Sequence, residues 1–200
     1  MMKLEPITLE GRHARLVPLT PGHAAALWEV GREAELWRWT WSGVASEEEM
    51  RGYVDEALRL QAGGTSLPFA TTEAGTGRVI GSTRFGNADA AHRRVEIGWS
   101  WVARAWRRSP VNTEAKYLML RHAFQILGCQ RVEMKTDALN EQSRAAMLRI
   151  GARFEGIFRK HGITADGRVR DTAWFSIVDD EWPAVRVGLE AMLARPDPRS

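Results

Sequence analysis

The stretch that decides the fold runs from residue 93 to residue 137, and it opens with RRVEIGWSWV at residues 93–102. Apolar side chains alternate with polar or small ones in this opening segment, which predicts a strand with one apolar face. The residues predicted to share that face are Val95, Ile97, Trp99 and Trp101. Glu96 lies between two of them and is therefore expected on the opposite face.

The rest of this stretch predicts a helix and a second strand. Apolar residues recur at helical spacing from Thr113 to Leu127, Gly128 provides a stop, and residues 131–137 have strand character. A strand-helix-strand unit of this kind forms a right-handed crossover between parallel strands. The N-terminus of its helix then lies beside the carboxyl end of the first strand, where free N–H groups and the helix dipole favour an anion.

Working outward, the elements follow in the order strand, two helices, three strands, helix, strand, helix, two strands. This mixture of hairpins and crossover helices predicts an α+β fold, with a mixed, mostly antiparallel sheet of about seven strands and about four flanking helices. Strands are expected at residues 13–19, 66–72, 78–85, 93–102, 131–137, 153–160 and 168–178. Helices are expected at residues 24–30, from the capping residue Ser46 to Gly63, at 113–127 and at 141–150. We expect one domain over residues 1–194 and a disordered tail at 195–200.

Composition excludes several classes of protein. Hydrophobic residues make up 44% and charged residues 26% of the 200-residue chain, as in ordinary globular domains. One cysteine, Cys129, rules out a disulfide scaffold and a thiolate zinc site, and no metal is expected. No apolar run reaches the ~18 residues of a membrane span, and residues 1–6 lack a signal-peptide pattern. A cytoplasmic protein without a membrane partner is expected.

The distribution of charge argues against a nucleic-acid partner. The 28 basic and 25 acidic side chains give a net charge of +3, and the two signs alternate along most of the chain. A nucleic-acid-binding domain would carry a basic run or stripe without interleaved acids.

The segment between the first strand and the helix of the deciding stretch has the composition of an anion site. Arg104, Arg107 and Arg108 precede Ser109 and the start of the helix. Fixed donors, a helix dipole and paired arginines together can hold a phosphate group. A solvated basic loop that caps the helix is the alternative interpretation.

Five motifs in this order resemble the GNAT superfamily of acyl-CoA N-acyltransferases, and within it the RimJ/RimL type named for ribosomal-protein N-terminal acetyltransferases. The resemblance is most specific from Ile97 to Gly156, and the order of elements agrees over nearly the whole chain. The motifs are Glu96-Ile-Gly-Trp, Arg107 to Thr113 leading into Glu114-Ala115, Arg131-Val-Glu, Asn140-Glu-Gln-Ser143 ahead of Leu148-Arg-Ile-Gly-Ala152, and Asp166-Gly-Arg-Val-Arg-Asp171.

The resemblance implies a site for acetyl-CoA or another acyl-CoA. The loop residues implied to surround its pyrophosphate are Arg107, Arg108, Ser109, Val111, Asn112 and Thr113. The strand at 93–102 is implied to part from the strand at 131–137, so that the backbone of Trp101 and Val102 can bind the pantetheine arm. The position of Asn140 is implied to contact that arm, and Ser143 to protonate the leaving thiolate.

One departure from the family pattern lies in this phosphate-binding loop. The usual loop carries glycines at alternate positions, which let the backbone approach the phosphates closely. This sequence has Ser109-Pro-Val-Asn112 instead, and Pro110 has no N–H to donate. Arg107 and Arg108 are expected to compensate with their side chains.

Acyl transfer to an amine needs a neutral nitrogen, so a base must remove its proton. Glu96 matches an acidic position common in the resembled subgroup, and a carboxylate in a partly desolvated cleft can act directly or through water. A structural ion pair between Glu96 and a neighbouring arginine is the alternative. His92 and His122 are weaker candidates, and His122 is expected to be a packed side chain.

The three tryptophans Trp37, Trp39 and Trp41 recur at a spacing of two, which predicts a strand or an extended loop with one aromatic face. In the resembled fold this segment lines the acceptor cleft, where an aromatic wall favours an apolar or cationic acceptor. Arg38 or Arg84 would accept a carboxylated chain there. Core packing or a dimer contact is the alternative role of these tryptophans.

The function implied is transfer of an acyl group, most simply acetyl, from acyl-CoA to an amine by direct attack in a ternary complex. The acceptor is a small-molecule amine or a protein N-terminus, and a homodimer is compatible with the sequence. A non-catalytic acyl-CoA-binding or regulatory module that kept the fold is the alternative, and a basic ribosome-associated protein is a third interpretation.

Overall fold

The computed structural model describes residues 2–196 and contains eight strands and five α-helices within them. The strands are β1 (Leu9–Glu10), β2 (Ala14–Pro18), β3 (Leu67–Glu73), β4 (Val79–Asp89), β5 (Arg94–Val102), β6 (Arg131–Asp137), β7 (Arg153–Ile163) and β8 (Val169–Val178). The helices are α1 (Ala24–Gly31), α2 (Glu47–Ala62), α3 (Pro110–Arg121), α4 (Glu141–Arg149) and α5 (Trp182–Leu193).

All eight strands belong to one mixed sheet in the order β1-β2-β3-β4-β5-β6-β8-β7. The pair β5–β6 is parallel and the other neighbouring pairs are antiparallel, which confirms the predicted mixed, mostly antiparallel α+β sheet. Sequence reasoning missed β1, because two residues are too few to show an alternation. It also missed α5, although Pro183 in the first turn is a recognised signal for a helix start.

Two hydrophobic clusters cover the two faces of the sheet. Phe69 and Ala70 are neighbours on β3, and because successive side chains of a strand point to opposite faces, they enter different clusters. The cluster with Phe69 packs beneath α3 and α5, and the cluster with Ala70 packs beneath α1 and α2. Hydrophobic burial on both faces therefore fixes the central strands in place.

Two serine caps set where α2 and α3 begin. The Ser46 hydroxyl accepts the N–H of Glu49 at 3.1 Å, as the sequence predicts. The helix predicted from Thr113 begins earlier, at Pro110, because Ser109 caps it and proline suits the first helical position. A π-helical segment at His122–Ile126 then extends α3 close to the predicted end.

The parallel ladder between β5 and β6 is short. It joins Arg94 to Arg131 and ends with the pair Glu96–Glu133, while β5 continues to Val102 and β6 continues to Asp137. Within residues 2–196 no further ladder pair joins the two strands. The predicted separation of these strands is confirmed.

A β-bulge corrects the prediction that Val95, Ile97, Trp99 and Trp101 share one face. The register between β4 and β5 shifts between Ser82 and Arg84, and Trp99 has a positive φ of 49°. Ile97 consequently packs beneath α3, whereas Trp101 packs in the cluster beneath α1 and α2. An inserted residue reverses the alternation beyond it.

The described chain includes no helix with the length and apolar character needed to cross a bilayer. Of the tail predicted at 195–200, residues 197–200 lie outside the described residues. Arg195 and Pro196 follow α5 and line a groove described below.

Candidate active site

A cleft of about 260 Å³ opens where β5 and β6 part. Its walls come from both faces of the sheet, so that the opening joins the two faces. One wall is aromatic and includes Trp37, Trp39, Trp41, Tyr53 and Trp99. The opposite wall comes from α3 and from α4 with its cap, and it includes Asn112, Lys116, Asn140, Ser143 and Met147.

Glu96 lies in this cleft at the last residue of the β5 ladder, and only 2% of its surface is exposed. Its carboxylate pairs with the Lys135 ammonium at 2.7 Å and accepts a hydrogen bond from the Asn87 amide at 2.7 Å. A Cβ at Gly98 would lie 2.7 Å from Glu96 Oε1, so glycine makes room for the carboxylate. The predicted ion pair therefore exists, but its partner is a lysine on β6 rather than an arginine.

Ser143 lies where the cleft meets a second cavity, and it lines both. It is the third residue of α4, whose N-terminus is capped by Asn140: the Asn140 side-chain oxygen accepts the N–H of Ser143 at 3.0 Å. The Ser143 hydroxyl has no hydrogen-bond partner among residues 2–196, so it is available to a molecule in the cleft.

The second cavity is a groove of about 990 Å³ along the N-terminal ends of α3 and α4. Eight of the nine residues predicted to bind the cofactor line it, namely Trp101, Val102, Arg107, Arg108, Ser109, Asn112, Thr113 and Asn140. Neither Arg107 nor Arg108 forms an ion pair with any other described residue, and Arg108 has a positive φ of 61°. The groove thus joins unpaired cationic side chains to a helix N-terminus, the combination that binds phosphates.

Val111 is the predicted cofactor residue that does not line the groove. Its side chain is buried with Ala14 and Ile80, and its N–H reaches the Ser109 hydroxyl at 3.3 Å. Pro110 occupies the first position of α3 and lines the groove. The donors left at this helix end are therefore the N–H groups that follow Val111 and the arginine side chains.

The prediction of an extended segment with one aromatic face at residues 37–41 is wrong. A 3₁₀ turn at Ala34–Leu36 and a series of turns replace the strand. The Trp37 indole donates to the Gly31 carbonyl at 2.7 Å, and its ring packs 5.4 Å from that of Trp101, so Trp37 joins the core. The local spacing of tryptophans could not reveal these contacts.

Trp39 and Trp41 are instead held by arginines of β8 and its preceding turn. The Arg170 guanidinium stacks 4.0 Å from the Trp41 ring centre and donates to the Trp39 carbonyl at 3.0 Å. The Arg168 guanidinium lies 5.7 Å from the Trp39 ring and pairs with the buried Asp137. These contacts fix the aromatic wall to the far hairpin of the sheet.

Arg84, predicted to bind an acceptor, lies outside the lining of the cleft. It is 2% exposed, and its guanidinium lies 5.0 Å from the Tyr53 ring and 4.8 Å from the Trp99 ring. Since both rings line the cleft, Arg84 supports the aromatic wall from behind. The sequence pattern alone could not distinguish a side chain that lines the cleft from one that lies behind the aromatic wall.

A family model described as an acetyltransferase (GNAT) domain matches residues 13–153 of this chain. The chain belongs to the GNAT family. Among curated proteins, it is 32% identical over 106 residues to YdaF of Bacillus subtilis, provisionally named a ribosomal N-acetyltransferase. The match covers 53% of this chain and 57% of YdaF, so the chain spans little more than half the length of this relative.

Solved GNAT structures share the complete fold. A GCN5-related N-acetyltransferase from Brucella melitensis superposes with a TM-score of 0.88 at 36% identity, over 96% of this chain and 87% of that one. RimJ of Mycobacterium smegmatis, solved in complex with CoA-disulfide, superposes with a TM-score of 0.83 at 24% identity, over 96% and 97% of the two chains. The latter identity supports likeness of fold alone.

Several residues at this GNAT site were missed by sequence reasoning. Lys116 and Tyr53 line the cleft, Arg149 lines the groove and donates to Thr113, and Arg170 anchors the aromatic wall. Lys116 and Tyr53 belong to predicted helices, but no local pattern indicates that their side chains reach the cleft. Arg149 and Arg170 join the site only through the fold.

The His122 side chain, predicted to be packed, is buried, and so is the side chain of Cys129. His122 packs 6.0 Å from the Phe85 ring, and burial lowers the pKa of this imidazole. Cys129 is buried beside the Met2 sulfur, and burial raises the pKa of its thiol to about 11. A thiol that holds its proton so strongly is a poor nucleophile at neutral pH.

His92 lies at an exposed turn and does not line the cleft.

Proposed function

We propose that this GNAT chain is an N-acetyltransferase that moves the acetyl group of acetyl-CoA directly to a primary amine. The observation that carries the proposal is the short β5–β6 ladder, which ends at Glu96 and opens into the basic groove. Backbone groups on the parted edges can bind an extended pantetheine arm as another strand would. The unpaired arginines and the α3 N-terminus can hold its pyrophosphate.

Glu96 is proposed as the base for the incoming amine. Its carboxylate is buried, lies at the end of the ladder and faces the aromatic wall, where an amine would enter. The amine would first lose one proton to Glu96, and its neutral nitrogen would then attack the thioester carbon and displace the sulfur. A β5 N–H near Trp101 would polarise the carbonyl oxygen. The free Ser143 hydroxyl would protonate the thiolate and take up the second proton that the nitrogen loses.

The acceptor is proposed to be a protein N-terminus. The provisional name of YdaF as a ribosomal N-acetyltransferase supports a protein acceptor. The aromatic wall suits the charged amine that arrives before deprotonation, because tryptophan and tyrosine faces attract cations. Small-molecule amines remain the competing acceptors in the experiment below.

The test combines binding and turnover. Calorimetry should detect acetyl-CoA binding, and an assay of thiol release should detect transfer to peptides with a free N-terminus but not to the same peptides with a blocked one. Transfer to polyamines or amino acids alone would contradict the proposed acceptor. Binding without turnover on any amine would favour the non-catalytic module, and no binding at millimolar acetyl-CoA would remove the proposal.

Glu96→Gln tests the proposed base. We expect kcat to fall about 10²–10⁴-fold, the usual contribution of a positioned base, while the affinity for acetyl-CoA stays unchanged. Glu48→Gln, on the exposed first turn of α2, is the matched control and should keep full activity. Lys135→Met removes the ion pair of Glu96 but keeps its carboxylate. Equal losses of activity in Glu96→Gln and Lys135→Met would therefore assign Glu96 a structural role only.

A further inference from the structure

Lys116 is a half-buried lysine of the cleft that the proposed reaction does not use. It lies on α3 one turn beyond Asn112, and its ammonium nitrogen is 2.5 Å from the Ser100 hydroxyl of β5. Ser100 lies beyond the last ladder pair at Glu96, and both Ser100 and Lys116 line the cleft that opens where β5 and β6 part. Met134, Lys135 and Thr136 of β6 line the same cleft from the other side.

The partners of Lys116 differ from those of the other cleft lysine. Lys135 pairs with Glu96 at 2.7 Å, whereas Lys116 has no carboxylate within ion-pair distance among residues 2–196. The charged groups that line the same cleft as Lys116 are Glu96 on β5, Lys135 on β6 and Arg170 on β8, and the residues of α4 that line it are uncharged. Burial lowers the pKa of Lys116 to about 7, against a weaker opposing effect of the Glu96 carboxylate.

We infer that Lys116 is a site of self-acetylation, at which the chain transfers the acetyl group of its own bound acetyl-CoA to this side chain when no external amine is present. The inference rests on the proposed function, because it needs acetyl-CoA with its arm in the gap. The neutral Lys116 nitrogen attacks the thioester carbon, a C–N bond forms, and the C–S bond breaks. The nitrogen gives up a proton and CoA leaves as the thiol, so the products are acetyl-lysine and CoA.

Two features of the cleft favour this step over reaction at another lysine. The amine and the thioester would share one enclosed volume, which replaces a bimolecular encounter by an intramolecular one. Lys116 is also substantially neutral near pH 7, whereas exposed lysines are protonated until about pH 10. Lys135 shares the cleft, but its nitrogen is engaged with the Glu96 carboxylate at 2.7 Å.

The experiment is peptide mass spectrometry of the full chain after incubation with acetyl-CoA alone. Four lysines are present, at positions 3, 116, 135 and 160, so the acetylated positions can be assigned directly. We expect acetylation at Lys116 to exceed that at Lys3 and Lys160 at least tenfold at pH 7. Lys116→Arg should abolish this adduct, and excess CoA or a good acceptor amine should slow it.

The pH dependence gives a second readout. The rate at Lys116 should rise up to about pH 7 and then level off, since the reactive neutral form is already dominant above its pKa. The background rate at the exposed Lys3 should keep rising toward pH 10. A Lys116 rate that follows the Lys3 profile would contradict an assisted reaction in the cleft.

The failure of this inference is distinct from failure of the proposed function. If acetyl-CoA binds and peptides are acetylated while Lys116 stays unmodified, the inference of a self-acetylation site is wrong and the proposed N-acetyltransferase function is supported. If Lys116→Met weakens acetyl-CoA binding and the wild-type chain forms no adduct, the ammonium binds the cofactor instead. If acetyl-CoA does not bind at all, both proposals fall.

Discussion

The two sides of the cleft are built from different kinds of sequence. The cofactor side is the groove that two short segments at helix N-termini line with Arg107, Arg108, Ser109, Pro110, Asn112, Thr113, Asn140, Gln142 and Ser143. The acceptor side, defined as the aromatic wall of Trp37, Trp39, Trp41, Tyr53 and Trp99, depends on contacts between distant segments. Its anchoring hydrogen bond, from Arg170 to Trp39, joins residues 131 positions apart.

This difference assigns different physical roles to the two sides. On the cofactor side, helix ends and adjacent arginines offer the same donors to any ligand with a pyrophosphate. On the acceptor side, the positions of Trp39 and Trp41 depend on arginines that β8 and its preceding turn supply. Acceptor preference can therefore change through a few distant substitutions while the cofactor side stays intact.

The largest effect is expected from removing the charge on the cofactor side. Arg107→Ala combined with Arg108→Ala should weaken acetyl-CoA binding about 10²- to 10⁴-fold, because each lost charge-assisted hydrogen bond contributes about 1.5–3 kcal/mol. Calorimetric titration measures this loss, which should shrink at high salt because ions screen exposed charges. Affinity for the acceptor should change little.

The matched control for this pair is Arg51→Ala combined with Arg59→Ala. Both arginines lie on the exposed side of α2 and pair with glutamates of the same helix. Their removal takes away the same two charges and should leave the acetyl-CoA affinity unchanged. An equal loss in both double variants would mean that net charge, rather than the groove, attracts the cofactor.

A smaller effect is expected at Ser143, where the two sides meet. Ser143→Ala should lower kcat about tenfold at pH 7 without changing the affinity for acetyl-CoA, since the hydroxyl would act only as the thiolate leaves. The loss should diminish toward pH 9, because a thiol with an ordinary pKa near 8.5 then leaves readily without a proton. Assays of thiol release at several pH values measure both trends.

Ser42→Ala is the control for this substitution, since Ser42 lines the same cleft on its acceptor side. It should keep the wild-type kcat and pH profile. A loss in Ser143→Ala that is independent of pH would instead indicate that the hydroxyl helps to position the cofactor.

The same contrast explains how much could be predicted from the sequence. The β5–α3–β6 crossover, the parting of its strands and the groove at Arg107 and Arg108 follow from local periodicity, capping and the resemblance of five motifs. The bulge at Trp99 could not be predicted, because an inserted residue changes the register without interrupting the apolar pattern. The burial of Arg84 behind two rings likewise depends on which helix covers the sheet.

The smallest effect is expected from a single ring of the acceptor side. Trp41→Leu should raise the KM for the acceptor about two- to tenfold, because one aromatic contact contributes about 0.5–1.5 kcal/mol beyond its area. The affinity for acetyl-CoA should stay constant, since Trp41 lines the cleft but not the groove. Trp41→Phe keeps an aromatic face for Arg170, so its KM for the acceptor should stay close to the wild-type value. Steady-state kinetics with a free N-terminal peptide separate the two constants, and a parallel loss of acetyl-CoA affinity in Trp41→Leu would show that the two sides are not independent.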